Sequence, residues 1–113
     1  MKRTILLVDN RADRRAALER TLSAAGCFEV ESRHCIERFE YEGGAYDVAF
    51  IHYNNPEAAQ IETKWKAPST IAIFFSGSFD ADLAKEEKFY YANAGYLQDD
   101  VDLRRLLARI LRS

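Results

Sequence analysis

The sequence is poor in the residues that build special frameworks. Only two cysteines, Cys27 and Cys35, occur among 113 residues. That excludes a zinc ribbon with two thiol pairs and a disulfide scaffold, and both read as ordinary reduced thiols. Two prolines and five glycines are too few for a collagen-like chain or a low-complexity linker. Charge of one sign is also missing: 16 basic residues face 18 acidic ones, a net charge of −2, which argues against a polyanion binder held by its overall field. Long apolar runs are absent. The longest, Ile5–Val8 and Ile71–Phe75, fall far short of the roughly 20 residues of a membrane-spanning helix. After Met1-Lys2-Arg3-Thr4 only a short apolar run precedes Asp9, too little for the apolar stretch of a signal peptide. The expectation is a cytoplasmic chain that neither crosses nor binds a membrane.

What is present is enough for a core. Leu, Ile, Val and Phe supply 28 of the 113 residues, above the roughly 20% below which chains tend to stay disordered. The length suits one domain spanning 1–113. Short apolar runs alternate with helical patterns. Thr4–Val8 reads as a strand buried on both faces, and a helix over Arg11–Ala25 follows, with Leu18 and Leu22 on one side, Arg11, Arg14, Arg15 and Arg20 on the solvated side, and Gly26 at its end. Phe28–Ser32 alternates as a shorter strand, and Cys35–Tyr41 reads as a short helix closed by Gly43-Gly44. Asp47–His52 is the third strand, and a weak helix over Pro56–Lys66 follows. Thr70–Phe75 is the fourth strand, Asp80–Ala94 a helix, Gly95–Gln98 the fifth strand and Asp99–Arg112 the last helix. In that helix Leu103, Leu106, Leu107 and Ile110 form the clearest amphipathic stripe in the chain. Five βα units with short connections predict an α/β fold of flavodoxin-like type: a parallel five-stranded sheet in the order 2-1-3-4-5 with helices on both faces.

In such sheets ligands bind beyond the carboxyl ends of the strands, which directs attention to Asp9, Asn10, His52, Ser76-Gly77 and Asp99-Asp100. Four fragments at these places, Ile5–Asn10, Tyr46–Pro56, Ile73–Gly77 and Ala94–Asp100, resemble the receiver domains of two-component response regulators, in the right order and at nearly the right spacing. The resemblance implies a receiver (βα)5 fold and a bacterial signalling role. It also marks a dismantled phosphorylation pocket at Asp9, Asn10, His52, Ser76 and Asp99. A receiver accepts phosphate on an aspartate where this chain has His52, holds a divalent cation with an acidic pair where it has Asp9 and Asn10, and uses a lysine where it has Asp99; Asp100 stands where a proline is common. A hard cation needs carboxylate oxygens, and replacing lysine by aspartate shifts the local charge by about two units against a phosphoryl group. Aspartyl phosphorylation at this place is therefore expected to be lost.

The altered crevice raises other readings. Asp9, His52 and Asp99 are the weak candidates for a transition-metal set, but mutual satisfaction of Asp99 and His52 is favoured, and no metal or other cofactor is expected. Nor is an enzyme: Ser76 has no surrounding nucleophile elbow, and no phosphate-cradling glycine loop is present. His52 as a phosphorelay carrier is disfavoured, and His34 reads as a surface residue. Recognition surfaces are the better seat of function. Phe89, Tyr90 and Tyr91 on the expected fourth helix cannot all face the core, because neighbours on a helix point about 100° apart. With Tyr96 and Leu97 on the expected edge strand they form the face of fourth helix, fifth strand and fifth helix that receivers use for dimerisation and output. The arginines of the last helix, Arg104, Arg105, Arg109 and Arg112, could meet nucleic acid or a cyclic dinucleotide, which the net charge disfavours. The chain is thus expected to be a pseudo-receiver that acts by phosphorylation-independent association with a protein partner or a second copy. A metal or small-ligand sensor, or a phosphorelay regulator with an unusual site, is the alternative.

Overall fold

The computed structural model describes residues 3–26, 28–34, 46–53, 62, 70–80, 83–86 and 89–111. A strand β1 (Arg3–Val8) leads into a helix α1 (Ala12–Ala25), then β2 (Phe28–Arg33), β3 (Val48–His52) and β4 (Ile71–Ser76). A short strand β5 (Ala84–Glu86), a strand β6 (Phe89–Asn93), a 3-10 turn (Ala94–Leu97) and a helix α2 (Asp100–Leu111) complete the described elements. The six strands form one sheet in the order β2-β1-β3-β4-β6-β5. All neighbours are parallel except β5, which runs antiparallel along β6.

The unbroken apolar runs have become the central strands because a parallel strand covered on both faces has no polar side. Ile5, Leu7, Val48, Phe50, Ile73 and Phe75 point to one face, where they meet Leu18 and Leu22 of α1 and Leu103, Leu106, Leu107 and Ile110 of α2. Burying each such side chain stabilises the fold by about 1.5–3 kcal/mol. Leu6, Val8, Ala49, Ile51, Ala72, Phe74 and Phe89 form the core of the other face, with Tyr46, Tyr53, Phe79 and Tyr91 packed against it. Among the described residues no helix is long and apolar enough to cross a membrane.

The expected α/β class and the start of the strand order are present, but the second half of the chain departs from five simple βα units. No α-helix occupies the described part of 80–94. Phe89–Asn93 is instead the fifth parallel strand, paired with β4 in the register Ala72↔Phe89 to Ser76↔Asn93, and β5 adds an antiparallel edge. The physical reason lies in the aromatic run. Aromatic side chains suit a pleated, half-buried surface, and a strand sends Phe89 and Tyr91 to one face and Tyr90 and Ala92 to the other. The 100° conflict of three adjacent aromatics on a helix thereby disappears. Gly95–Gln98, expected as a strand, is mostly the 3-10 turn, whose start is held by Gly95 N–H donating to Asn93 Oδ1 at 2.8 Å. The expected helix over Cys35–Tyr41, the Gly43-Gly44 pair, both cysteines and, apart from Glu62, the helix over Pro56–Lys66 lie outside the described residues.

Candidate functional site

The carboxyl ends of β1 and β3 place Asp9 and His52 side by side on the face covered by α1, and both are buried. The chain turns directly from Asp9 into α1, and Arg11 just before that helix and Arg14 and Arg15 at its start lie over the sheet end. Arg14 grips the Asp9 carboxylate with two hydrogen bonds, Nε to Oδ2 at 2.5 Å and Nη2 to Oδ1 at 2.8 Å. Arg11 N–H donates to Oδ1 at 3.0 Å, and Arg15 Nη1 donates to the Asp9 carbonyl at 2.8 Å. Such a bidentate fork is among the stronger charge-assisted arrangements in proteins. Burial alone pushes the Asp9 carboxyl up, but the Arg14 and Arg11 hydrogen bonds and the positive charge of Arg14 outweigh it and hold the carboxyl below its ordinary value.

His52 Nδ1 lies 3.4 Å from Arg14 Nη2. A guanidinium has only donors, so Nδ1 accepts and the ring proton sits on Nε2. Burial first, and then the Arg14 charge, push the imidazole below its ordinary value against the opposing pull of Asp9, so His52 is neutral near pH 7. Its ring packs edge-on against Phe75 with centroids 5.1 Å apart. The guanidinium thus lies against the Asp9 carboxylate, with the His52 imidazole at its end.

The remaining expected pocket residues are elsewhere. Asp99 is exposed, and its Oδ1 accepts from Val101 N–H at 2.7 Å and Asp102 N–H at 3.3 Å. It caps α2 and does not satisfy His52, because with β6 upstream of the expected strand Asp99 follows the 3-10 turn and enters a helix start. Among the described residues no group of three His, Cys, Asp or Glu side chains is gathered to hold a metal ion, so Asp9, His52 and Asp99 do not form one set. Asn10 is exposed. Ser76 is buried and meets Ser78 Oγ at 2.9 Å and Ser78 N–H at 3.2 Å, with no carboxylate or imidazole bonded to it among the described residues.

The expected partner surface changes as well. Phe89 and Leu97 are buried in the two cores. Tyr91 is half-buried and donates to Glu62 Oε2, while Tyr53 donates to Glu62 Oε1 at 3.1 Å. Burial, together with the Glu62 carboxylate, pushes both phenols up. Tyr90, under the Lys85 ammonium at 5.5 Å, and Tyr96 are half-buried, and Val101 is 48% exposed.

Arg14 was missed as a site residue because arginines on a polar helix face are usually only solvated. A signal was available: cations oppose the positive end of the helix dipole, and a helix that begins with Arg11, Arg14 and Arg15 calls for a carboxylate nearby.

No family model and no curated protein matches the sequence. Among solved structures the fold is similar to that of a Burkholderia pseudomallei K96243 protein described as a putative pilus assembly-related protein, with a TM-score of 0.69 at 17% identity over 94% of this chain and 87% of that one. At that identity the likeness speaks for the fold alone.

Proposed function

We propose that this chain is a receiver-like signalling domain that has lost phosphoryl transfer and works in the cytoplasm by binding another protein or a second copy of itself. The observation that carries the reading is the place of Arg14. Its guanidinium supplies Asp9 with the positive charge that a divalent cation would bring, at a strand end where His52 replaces an acceptor carboxylate. A guanidinium offers only N–H donors and cannot bridge carboxylate and phosphoryl oxygens by direct coordination as a divalent cation does. With His52 facing Arg14 and Ser76 turned to Ser78, no activated nucleophile is at hand among the described residues, which supports a binding module rather than an enzyme. The exposed side of β6 and α2, with Tyr90, Tyr96 and Val101, is the favoured contact region, because half-buried aromatics and an exposed aliphatic are the types enriched where proteins meet. The protein of similar fold is described as pilus assembly-related, which makes pilus assembly one setting in which to seek the partner.

The test has two arms. Incubation with acetyl phosphate and Mg²⁺ is expected to leave the intact mass unchanged, and capture of the binding protein from extract is expected to be the same with and without the phosphodonor and to fall on Val101→Asp. A phosphoryl adduct that disappears in His52→Ala would overturn the reading.

A further inference from the structure

A cleft of about 420 Å³ opens between α1, the end of β4 and the 3-10 turn, next to the Asp9 and Arg14 pair but on its outer side. That volume lies within the roughly 300–1,000 Å³ of small-molecule sites. Its floor is apolar, with the buried side chains of Leu18, Phe75 and Leu97, and its rim is polar, with Asp13, Arg14 and Gln98. Arg14 spends Nε and Nη2 on Asp9 and His52 and leaves Nη1 without a hydrogen-bond partner among the described residues. The Gln98 side-chain amide is likewise unengaged, so the rim offers donors and acceptors together.

The charges at the rim cancel. Arg14 is neutralised by Asp9, and Asp13 by Arg11, whose Nη2 lies 2.9 Å away. An anion entering the cleft meets a guanidinium already paired and a carboxylate beside it; a cation meets a carboxylate already paired. Neither gains a net opposite charge, and both lose hydration. An uncharged molecule with an apolar body and a polar edge loses little and can use the free Nη1 and the Gln98 amide. A rigid planar ring system meets both needs at small conformational cost.

We infer that this cleft is a binding site for a neutral, planar heteroaromatic or aromatic amide of nucleobase size. The cleft's lining shares no residue with the proposed contact at Tyr90, Tyr96 and Val101, though both adjoin the 3-10 turn, and its test does not depend on that reading.

Adenine and nicotinamide are the probes, with benzoate and benzylamine as charged controls, followed by saturation-transfer NMR and calorimetry on the purified chain. Saturable binding of at least one neutral probe is expected in the high-micromolar to millimolar range, as suits a fragment of that size. Ala17→Leu fills the cleft from an exposed helix position where leucine is a good helix former, and is expected to weaken binding by about tenfold or more with the melting temperature preserved. Gln98→Ala, on the exposed turn, should weaken it several-fold, and both charged controls should bind less well than the neutral probes. No saturable binding of either neutral probe up to about 10 mM, binding indifferent to Ala17→Leu, or benzoate or benzylamine binding more tightly than both neutral probes would each overturn the inference.

Discussion

Among the described residues a carboxylate is held against each face of the sheet, Asp9 on one and Glu62 on the other, and the two are held by different chemistry. On the face covered by α1 and α2, a core dominated by Leu, Ile and Val with Phe50 and Phe75 ends in Asp9, clamped by the Arg14 guanidinium. On the other face, Phe74 makes ring contacts with Tyr53, Phe89 and Tyr91, and Tyr53 and Tyr91 meet Glu62 through their hydroxyls. One clamp is ionic and buried, so it is strong only while both charges are present. The other joins a carboxylate to neutral donors and gains from the aromatic packing beneath it. The ionic clamp neutralises the buried Asp9 carboxylate, whereas the neutral one anchors Glu62 to the sheet.

The largest expected effect breaks the aromatic face. Phe74 is fully buried, and Phe74→Ala removes the ring around which the others pack, so a loss of about 3–5 kcal/mol is expected in urea unfolding. Arg14→Ala breaks the ionic clamp and leaves Asp9 buried with only backbone and Arg15 contacts. Arg14 is 31% exposed, so water can partly take its place, and the expected loss at pH 7 is about 2–4 kcal/mol, below the full range for an orphaned buried charge. The Asp9 carboxyl is held below its ordinary value in the folded protein. Its contribution is therefore present above the unfolded value of roughly 3.9 and lost as pH falls through the lower folded one. The gap between the native chain and Arg14→Ala should accordingly close towards acid pH, and a gap independent of pH would show that Arg14 acts through packing alone.

The same contrast explains what was legible in the sequence. The face covered by α1 and α2 is written locally: the buried runs of β1, β3 and β4 and the Leu103, Leu106, Leu107, Ile110 stripe each declare their structure within a few residues. The aromatic edge is not. Ala84-Lys85-Glu86 is made of helix formers, and only pairing with β4, distant in sequence, makes Phe89–Asn93 a strand. Topology put Asp9 and His52 at the right strand ends, since it depends on the strands alone. Asp99 falls at the crevice only if Gly95–Gln98 is the fifth strand; that strand lies at Phe89–Asn93 instead, and Asp99-Asp100 before the Leu103 stripe is itself a helix start. Arg14 was not legible, because its role follows from the direction in which α1 leaves β1.

Asp99 offers a smaller effect that separates the two ends of the chain. If it only caps α2, Asp99→Ala costs about 1 kcal/mol and leaves the acid transition of Asp9 unchanged; Asp99→Asn or Asp99→Ser should recover most of the loss. An altered acid transition in Asp99→Ala would instead tie Asp99 to the Asp9 and His52 pair.

The neutral clamp should give the smallest change and the opposite pH signature. Tyr91→Phe keeps the ring stacked on Phe74, with centroids 5.7 Å apart, and removes only the hydroxyl that meets Glu62, while Tyr53 still donates to that carboxylate. The expected cost is about 0.5–1.5 kcal/mol. Burial and the nearby carboxylate push the Tyr91 phenol up in the folded protein. Its contribution is fully present below the unfolded value near 10 and is lost as pH rises through the higher folded one. Tyr91→Phe should therefore unfold at higher pH than the native chain in an alkaline titration followed by circular dichroism, although it is the less stable protein at pH 7. If the two alkaline transitions coincide, the hydroxyl is solvated rather than clamped, and Glu62 is held by Tyr53 alone.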